Sequence, residues 1–373
     1  MIPVLKPNPP PIEKWSKYLQ MSYDQSQFSN GGPCSKLLES RLKDYLGLEH
    51  EPVLMCNATV ALTVVLQALQ LQGTPVLMPS FTFSATPLSL LNAGCAPILV
   101  DIDDDLQASV DSLKQQLWLV PDCKALVVVQ ALGFSCDYKK YEKFAAENNL
   151  KLIFDSAACL GASYEPEWDE NGDRLYPEAP IKKVGTAGDC EVFSLHITKT
   201  FGIGEGALVT SKDKAFLDTC RQMINFGFNK KGETEMIGTN GKCSEFHAAV
   251  GLAVLDDIFL TMNEKMVNAS LYNWYFKKKP VRYLYAWSGY QVYPLIFESK
   301  EVRDRVQAAL HKKDILTRIY YTPTHKQPYF SFLAGYDLPK TDYYYERILC
   351  IPLFETISIE EQELIANIVL ENL

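Results

Sequence analysis

Lys199 stands in the stretch FSLHITKTFGIGEGALVTS, residues 193 to 211, a cation between two apolar, strand-like runs with Gly202, Gly204 and Gly206 just behind it. The plain reading of a loop lysine is a solvated surface charge. The setting argues for another, because a lysine held between buried strands has its amine pKa lowered, and only a neutral amine forms a Schiff base. Asp155 closes the apolar run KLIFD and so falls at the carboxyl end of a strand. Such an aspartate can do no more than cap a following helix, but a buried carboxylate there can also keep a pyridinium nitrogen protonated. An amine and a carboxylate on different strand ends, 44 residues apart, therefore suit pyridoxal 5′-phosphate (PLP), which needs both to act as an electron sink.

Two further stretches fit a phosphorylated aromatic ligand. In CNATVAL, residues 56 to 62, the N–H groups of Ala58 and Thr59 and the Thr59 hydroxyl lie at the start of a helix, where unpaired donors bind a phosphate. Asn57 is the expected N-cap, and the two roles are compatible. Phe83, in PSFTFSAT, could stack on a ring or simply fill a core. Gly202, Gly204 and Ala207 also satisfy G-x-G-x-x-A, the dinucleotide fingerprint, but that motif must open a helix and here the strand-like GALVTS follows.

The elements that would position these residues alternate from about residue 50. PVLMC, PVLMP, APILVDID, ALVVVQALG and LKLIFD are short apolar runs, and each of the first four is followed by a helical pattern. That order predicts an α/β fold with a mostly parallel sheet covered by helices on both faces, its ligands beyond the carboxyl ends of the strands. Residues 164 to 189, rich in charge, Pro and Gly, read as a surface excursion. The texture then changes: a long helix from about 243, strand-like RYLYAW and YQVYPLIF, a helix from 300 to 312, a strand near 315 to 321, and a last helix opened by the capping box Ser358 and Glu361. We expect a large α/β domain over 1–235, including an N-terminal arm, and a smaller α+β domain over 236–373.

The whole chain, 373 residues with 47% hydrophobic content, has the composition of a globular enzyme. Its formal net charge of -9, from 36 basic and 45 acidic residues, denies it the broad basic surface that nucleic-acid binding needs. No run approaches a membrane span and no signal-peptide stretch opens the chain, so a cytoplasmic protein is expected. The ten cysteines are scattered without a CxxC pair and read as reduced thiols. The sequons at Asn57 and Asn268 read as coincidence.

Taken in order, NATVAL, PSFTFSATPLSLLNAGCAPILVDID, LKLIFDSAACLGA, GDCEVFSLHITKTFGIGEGALVTS, NFGFN and GTNGKCSEFHAAVGLAVLDDI resemble the DegT/StrS family of PLP-dependent sugar aminotransferases of fold type I. The resemblance runs from about residue 27 to the C-terminus. It implies that Lys199 carries the cofactor and shuttles the proton, that Asp155 pairs with the pyridine nitrogen, and that Phe83 stacks on the ring. Ala58, Thr59 and Ser194 would hold the phosphate. Asn240 would reach the phosphate of a neighbouring subunit, which implies an obligate homodimer with shared sites. Two positions depart from the family's pattern: Ala158 stands where Gln or His is usual, against the cofactor, and Gln130 where His is frequent. Relatives that act as dehydratases replace the lysine, so Lys199 argues for transamination.

The implied reaction is ping-pong: L-glutamate aminates PLP to PMP, which aminates a nucleotide-linked keto sugar. The motifs are most similar to those of members acting on dTDP-4-keto-6-deoxyglucose, giving a 4-amino-4,6-dideoxy sugar for O-antigen or related glycans. His325, in RIYYTPTHKQPYF, is the expected substrate contact, with a structural role as the alternative. A 3-keto sugar, another nucleotide sugar or an aminocyclitol precursor remain as other acceptors, and a non-catalytic binding protein on the same fold as a reading of another class.

Overall fold

The computed structural model describes residues 1–164, 182–284 and 291–373. Helices α1 (Ile12–Asp24) and α2 (Pro33–Leu46) lead into β1 (Val53–Met55), α3 (Ala58–Ala68), β2 (Pro75–Pro79), α4 (Ala85–Asn92), β3 (Ala96–Val100), α5 (Val110–Leu119), β4 (Ala125–Val129), α6 (Tyr138–Glu147) and β5 (Lys151–Asp155). A ribbon of β6 (Ser163–Tyr164) and β7 (Lys182–Lys183) precedes β8 (Cys190–Ser194), β9 (Ala207–Thr210), α7 (Lys214–Met223) and the long α8 (Glu245–Phe276). The chain ends with β10 (Arg282–Tyr283), β11 (Tyr293–Ile296), α9 (Lys300–His311), α10 (Pro339–Arg347), β12 (Ile348–Ile351) and α11 (Ile359–Glu371). Most of the expected surface excursion, and most of RYLYAW beyond β10, lie outside the described residues.

Seven strands form one sheet in the order β1-β9-β8-β5-β4-β2-β3. The pairs β2–β3, β2–β4, β4–β5 and β5–β8 are parallel, while β9 runs antiparallel to both β8 and β1. Both faces are apolar, as a doubly covered sheet requires. Leu126 and Val128 of β4 enter one core with Leu38 of α2, Tyr141 of α6 and Leu252 of α8, while Val127 and Val129 enter another with Leu62 of α3, Leu90 of α4 and Leu217 of α7. Because side chains alternate along a strand, Asp155 shares the α3/α4 side with Ile153, whereas Glu191 shares the opposite side with Phe193.

A third core surrounds the antiparallel sheet β10-β11-β12 and α9 and α11. The long helix α8 feeds two cores, Leu252 and Ile258 in the first, Tyr272 and Phe276 in the third. Val4 also enters the third core, and Ile2 bridges to Ile315. The strand expected near 315 to 321 forms only isolated bridges, Ile2 to Ile315 and Arg318 to Cys350, because its neighbours change along its length. Among the described residues, no helix is long and apolar enough to cross a membrane.

Local signals explain several element ends. Asn57 caps α3 by accepting from the Val60 N–H at 2.9 Å, and the Ser358–Glu361 capping box opens α11. The start of α2 is capped from a distance. Glu245, fully buried at the first turn of α8, accepts from the N–H groups of Cys34 at 2.6 Å and Ser35 at 3.1 Å, and from the hydroxyls of Ser35 at 2.5 Å and Ser22 at 3.1 Å. A carboxylate at a helix N-terminus also answers the helix dipole.

Candidate active site

A cavity of about 430 Å³ opens at the carboxyl ends of β4, β5 and β8 and at the start of α3. Its wall brings together Ala58, Thr59, Phe83, Asp155, Ala158, Ser194 and Lys199. Seven of the nine residues expected to contact cofactor or substrate thus meet in one place, although they come from separate parts of the chain.

Lys199 owes its position to the hairpin between β8 and β9. Main-chain bonds Leu195 N–H to Gly206, Ile203 N–H to Leu195 and Ile197 N–H to Gly204, all 2.8 to 2.9 Å, fix the loop that carries it. The glycines behind it are required by space. A Cβ on Gly202 would stand 2.6 Å from the Ile197 carbonyl oxygen, and Gly204 has φ +105°, where other residues are strained. A strand, β9, follows them, so the dinucleotide reading fails on geometry.

The Lys199 amine is half-buried, and burial pushes its pKa below the ordinary lysine value. Asp155 and Cys159 oppose that shift, and the buried ammonium of Lys265 adds to it. Lys265 donates to Thr200 Oγ1 at 3.1 Å and pairs with Glu355 at 3.7 Å. Asp155 ends β5 and is buried, which raises its pKa. Against that, Thr86 Oγ1 donates to Asp155 Oδ2 at 2.7 Å and the Ala157 N–H donates to Oδ1 at 3.2 Å, both favouring the carboxylate. No helix follows Asp155 directly, so it caps none.

The first N–H groups of α3 have no carbonyl a turn earlier to bond, and they face the cavity at Ala58 and Thr59. Phe83 is 61% exposed despite its size, the reverse of a core phenylalanine, and its ring stands at 61° to that of Tyr321. Two buried side-chain oxygens on the wall, Gln130 Oε1 and Gln291 Oε1, lack hydrogen-bond partners. An anion-binding helix start, an exposed ring, a poised amine facing a carboxylate, and orphaned acceptors together fit a phosphorylated pyridine aldehyde.

Two sequence expectations fall elsewhere. His325 is buried outside the cavity wall, with Nδ1 against Ser80 Oγ at 2.7 Å and Nε2 against Asp342 at 3.0 Å. Both ring nitrogens are occupied, so the structure does not bring it to a substrate. Asn240 is exposed and apart from the cavity of its own chain. The reverse omissions are Thr86, Tyr321, Gln291 and Lys265, each an ordinary residue in sequence. Thr86 alone left a trace: it lies in the same turn of chain as Phe83.

The profile of the DegT/DnrJ/EryC1/StrS aminotransferase family matches residues 12–370. A dTDP-4-amino-4,6-dideoxy-D-glucose transaminase of Shigella dysenteriae is 29% identical, with 99% of this chain and 98% of that protein aligned. A GDP-perosamine synthase of Vibrio cholerae is 28% identical over 98% of each chain. Among solved structures, DesI in the presence of its TDP-sugar product superposes with a TM-score of 0.87 at 28% identity, covering 99% of this chain and 92% of that one.

Proposed function

This chain belongs to the DegT/DnrJ/EryC1/StrS aminotransferase family and is a PLP-dependent sugar aminotransferase, and we propose that it moves an amino group from L-glutamate to dTDP-4-dehydro-6-deoxy-D-glucose, giving dTDP-4-amino-4,6-dideoxy-D-glucose. The observation that carries the catalytic reading is the presence of Lys199 and Asp155 on one cavity wall with the start of α3. The names of the Shigella dysenteriae and Escherichia coli relatives support the acceptor.

When bound, PLP supplies an electrophilic carbonyl carbon and a ring that takes up the electron pair released at the reacting carbon. Lys199 would hold the cofactor and would accept and return a proton through Nζ. Its lowered pKa, caused chiefly by burial, enlarges the share of neutral amine that can act as a base. Asp155, whose charged form Thr86 and Ala157 favour, would hold the ring nitrogen in its protonated form. Ala58, Thr59 and Ser194 would hold the phosphate, and Phe83 would stack on the ring. Ala158, on the same cavity wall, would leave more room beside the ring than a Gln or His there.

The homodimer belongs to the same reading. The exposure of Asn240 away from its own cavity is consistent with service to a second copy's phosphate. The ten free cysteines, nine of them buried, favour a reducing cytoplasm. Product destined for O-antigen or a related glycan follows from the sugar.

The test is spectroscopic. L-Glutamate should bleach the visible band of the PLP-loaded protein, and the 4-keto dTDP-sugar should restore it. A panel including GDP- and UDP-linked keto sugars decides the acceptor, and restoration only by a GDP-linked sugar would replace this substrate with that of the perosamine synthases.

A further inference from the structure

Glu191 lies in the interior on the α6 side of the sheet, fully buried, and the mechanism above does not use it. Its Oε1 accepts from the N–H groups of Gly185 at 2.9 Å and Ala187 at 3.0 Å. Its Oε2 accepts from the hydroxyls of Ser156 at 2.9 Å and Tyr138 at 3.1 Å. Gln130 Nε2 in turn meets the same two hydroxyl oxygens, Ser156 at 2.6 Å and Tyr138 at 2.7 Å.

The proton count fixes the direction of this relay. Each hydroxyl has one hydrogen, and while Glu191 is ionised both are drawn to its Oε2. Ser156 and Tyr138 can then only accept from Gln130, so its amide must turn the NH2 group inward. That leaves Oε1, buried and without a partner, on a side chain that lines the cavity beside Asp155. A buried acceptor without a partner is costly, and a donor on a bound molecule would remove the cost.

We propose that Gln130 is a positioning residue of this site, its amide oxygen receiving a hydroxyl or ammonium donor from a molecule bound in the cavity, and that Glu191 sets the amide's orientation through Ser156 and Tyr138. Protonation of Glu191 at Oε2 reverses the relay. The new O–H donates to one of the hydroxyls, which frees that hydroxyl's hydrogen for Gln130 and lets the amide turn its oxygen inward. Burial raises the Glu191 pKa to about 7, so the reversal falls near neutrality. The titratable groups facing Glu191 are Tyr138 and Cys136 from α6 and the loop before it, Cys159 after β5, and Cys190 beside it. Burial pushes all four upward, which leaves Glu191 as the group in this cluster that changes charge there.

This inference rests on the PLP reading. Cofactor-free protein is titrated with PLP from below to above pH 7, and the KM values of the loaded enzyme for L-glutamate and the keto sugar nucleotide are measured over the same range. Wild type is compared with Gln130→Leu and Glu191→Gln. Gln130→Leu should weaken one ligand by about 5- to 10-fold, the worth of one hydrogen bond. In wild type the same affinity should fall as the pH drops through about 7, and Glu191→Gln should remove that step. A loss in PLP affinity places the donor on the cofactor, and a loss confined to one KM places it on that substrate. Unchanged affinities in Gln130→Leu, or a pH step that survives Glu191→Gln, overturn the inference. If Gln130→Leu does not fold, the double variant Ser156→Ala, Tyr138→Phe removes the relay instead, and persistence of the step again overturns it. Failure of wild type to bind PLP would sink the functional reading itself, a separate outcome.

Discussion

Thr86 holds Asp155. The threonine hydroxyl in the first turn of α4 donates to the carboxylate at the end of β5 across 2.7 Å, and Thr82 Oγ1 lies 2.7 Å behind it. The bond favours the charged form of a group that burial pushes toward neutrality. Thr86→Val should therefore raise the Asp155 pKa, move the acid limb of the kcat profile to higher pH, and lower kcat by about 10-fold. A profile superimposable on wild type would remove Thr86 from the site.

Lys199→Ala takes away an amine without emptying a core. Turnover should fall by about 10³-fold or more, with the far-UV circular dichroism and thermal midpoint close to wild type. Transamination at the normal rate would end the assignment.

The charge of Lys265 adds to the lowering of the Lys199 pKa that burial begins. Lys265→Met should raise it, so more of the amine is protonated at a given pH. The rate at which cofactor-free protein captures PLP should then climb to its plateau at higher pH than in wild type, as stopped-flow absorbance can measure.

Stability should depend on pH through Glu191. Its pKa in the fold, about 7, lies above its ordinary value of 4.5, so between these values the folded state binds the extra proton. Stability is then greatest below the lower value and falls as pH rises toward the upper one, by about 3 kcal/mol in all. Urea midpoints at both ends of that window should show the decline in wild type and a smaller one in Glu191→Gln.

Glu245→Ala leaves three donors at the start of α2, and the Ser22 hydroxyl of α1, without their acceptor. A loss of about 3 kcal/mol in urea unfolding is expected, with little change in cofactor affinity.

The parallel sheet and the lysine hairpin were legible because their signals are local: apolar runs, helix caps and a lysine backed by glycines. Asp155, Phe83 and the start of α3 were readable for the same reason, since each follows directly on a strand. Thr86, Lys265, Gln291 and Glu191 were not, because what matters about them is a partner far along the chain. His325 shows the opposite error. A histidine in a promising stretch proved to be held by Ser80 and Asp342, and sequence does not show which side chains will claim both ring nitrogens.

The hairpin carrying Lys199 has a consequence for repair. Its loop is tied by main-chain bonds at both ends and crowded at Gly202, so it should not collapse when the lysine side chain is removed. The space left in Lys199→Ala therefore keeps its shape on the cavity wall that Asp155 shares. Small primary amines added to the solution can lodge there, and partial chemical rescue graded by their length would measure how far the missing side chain reached.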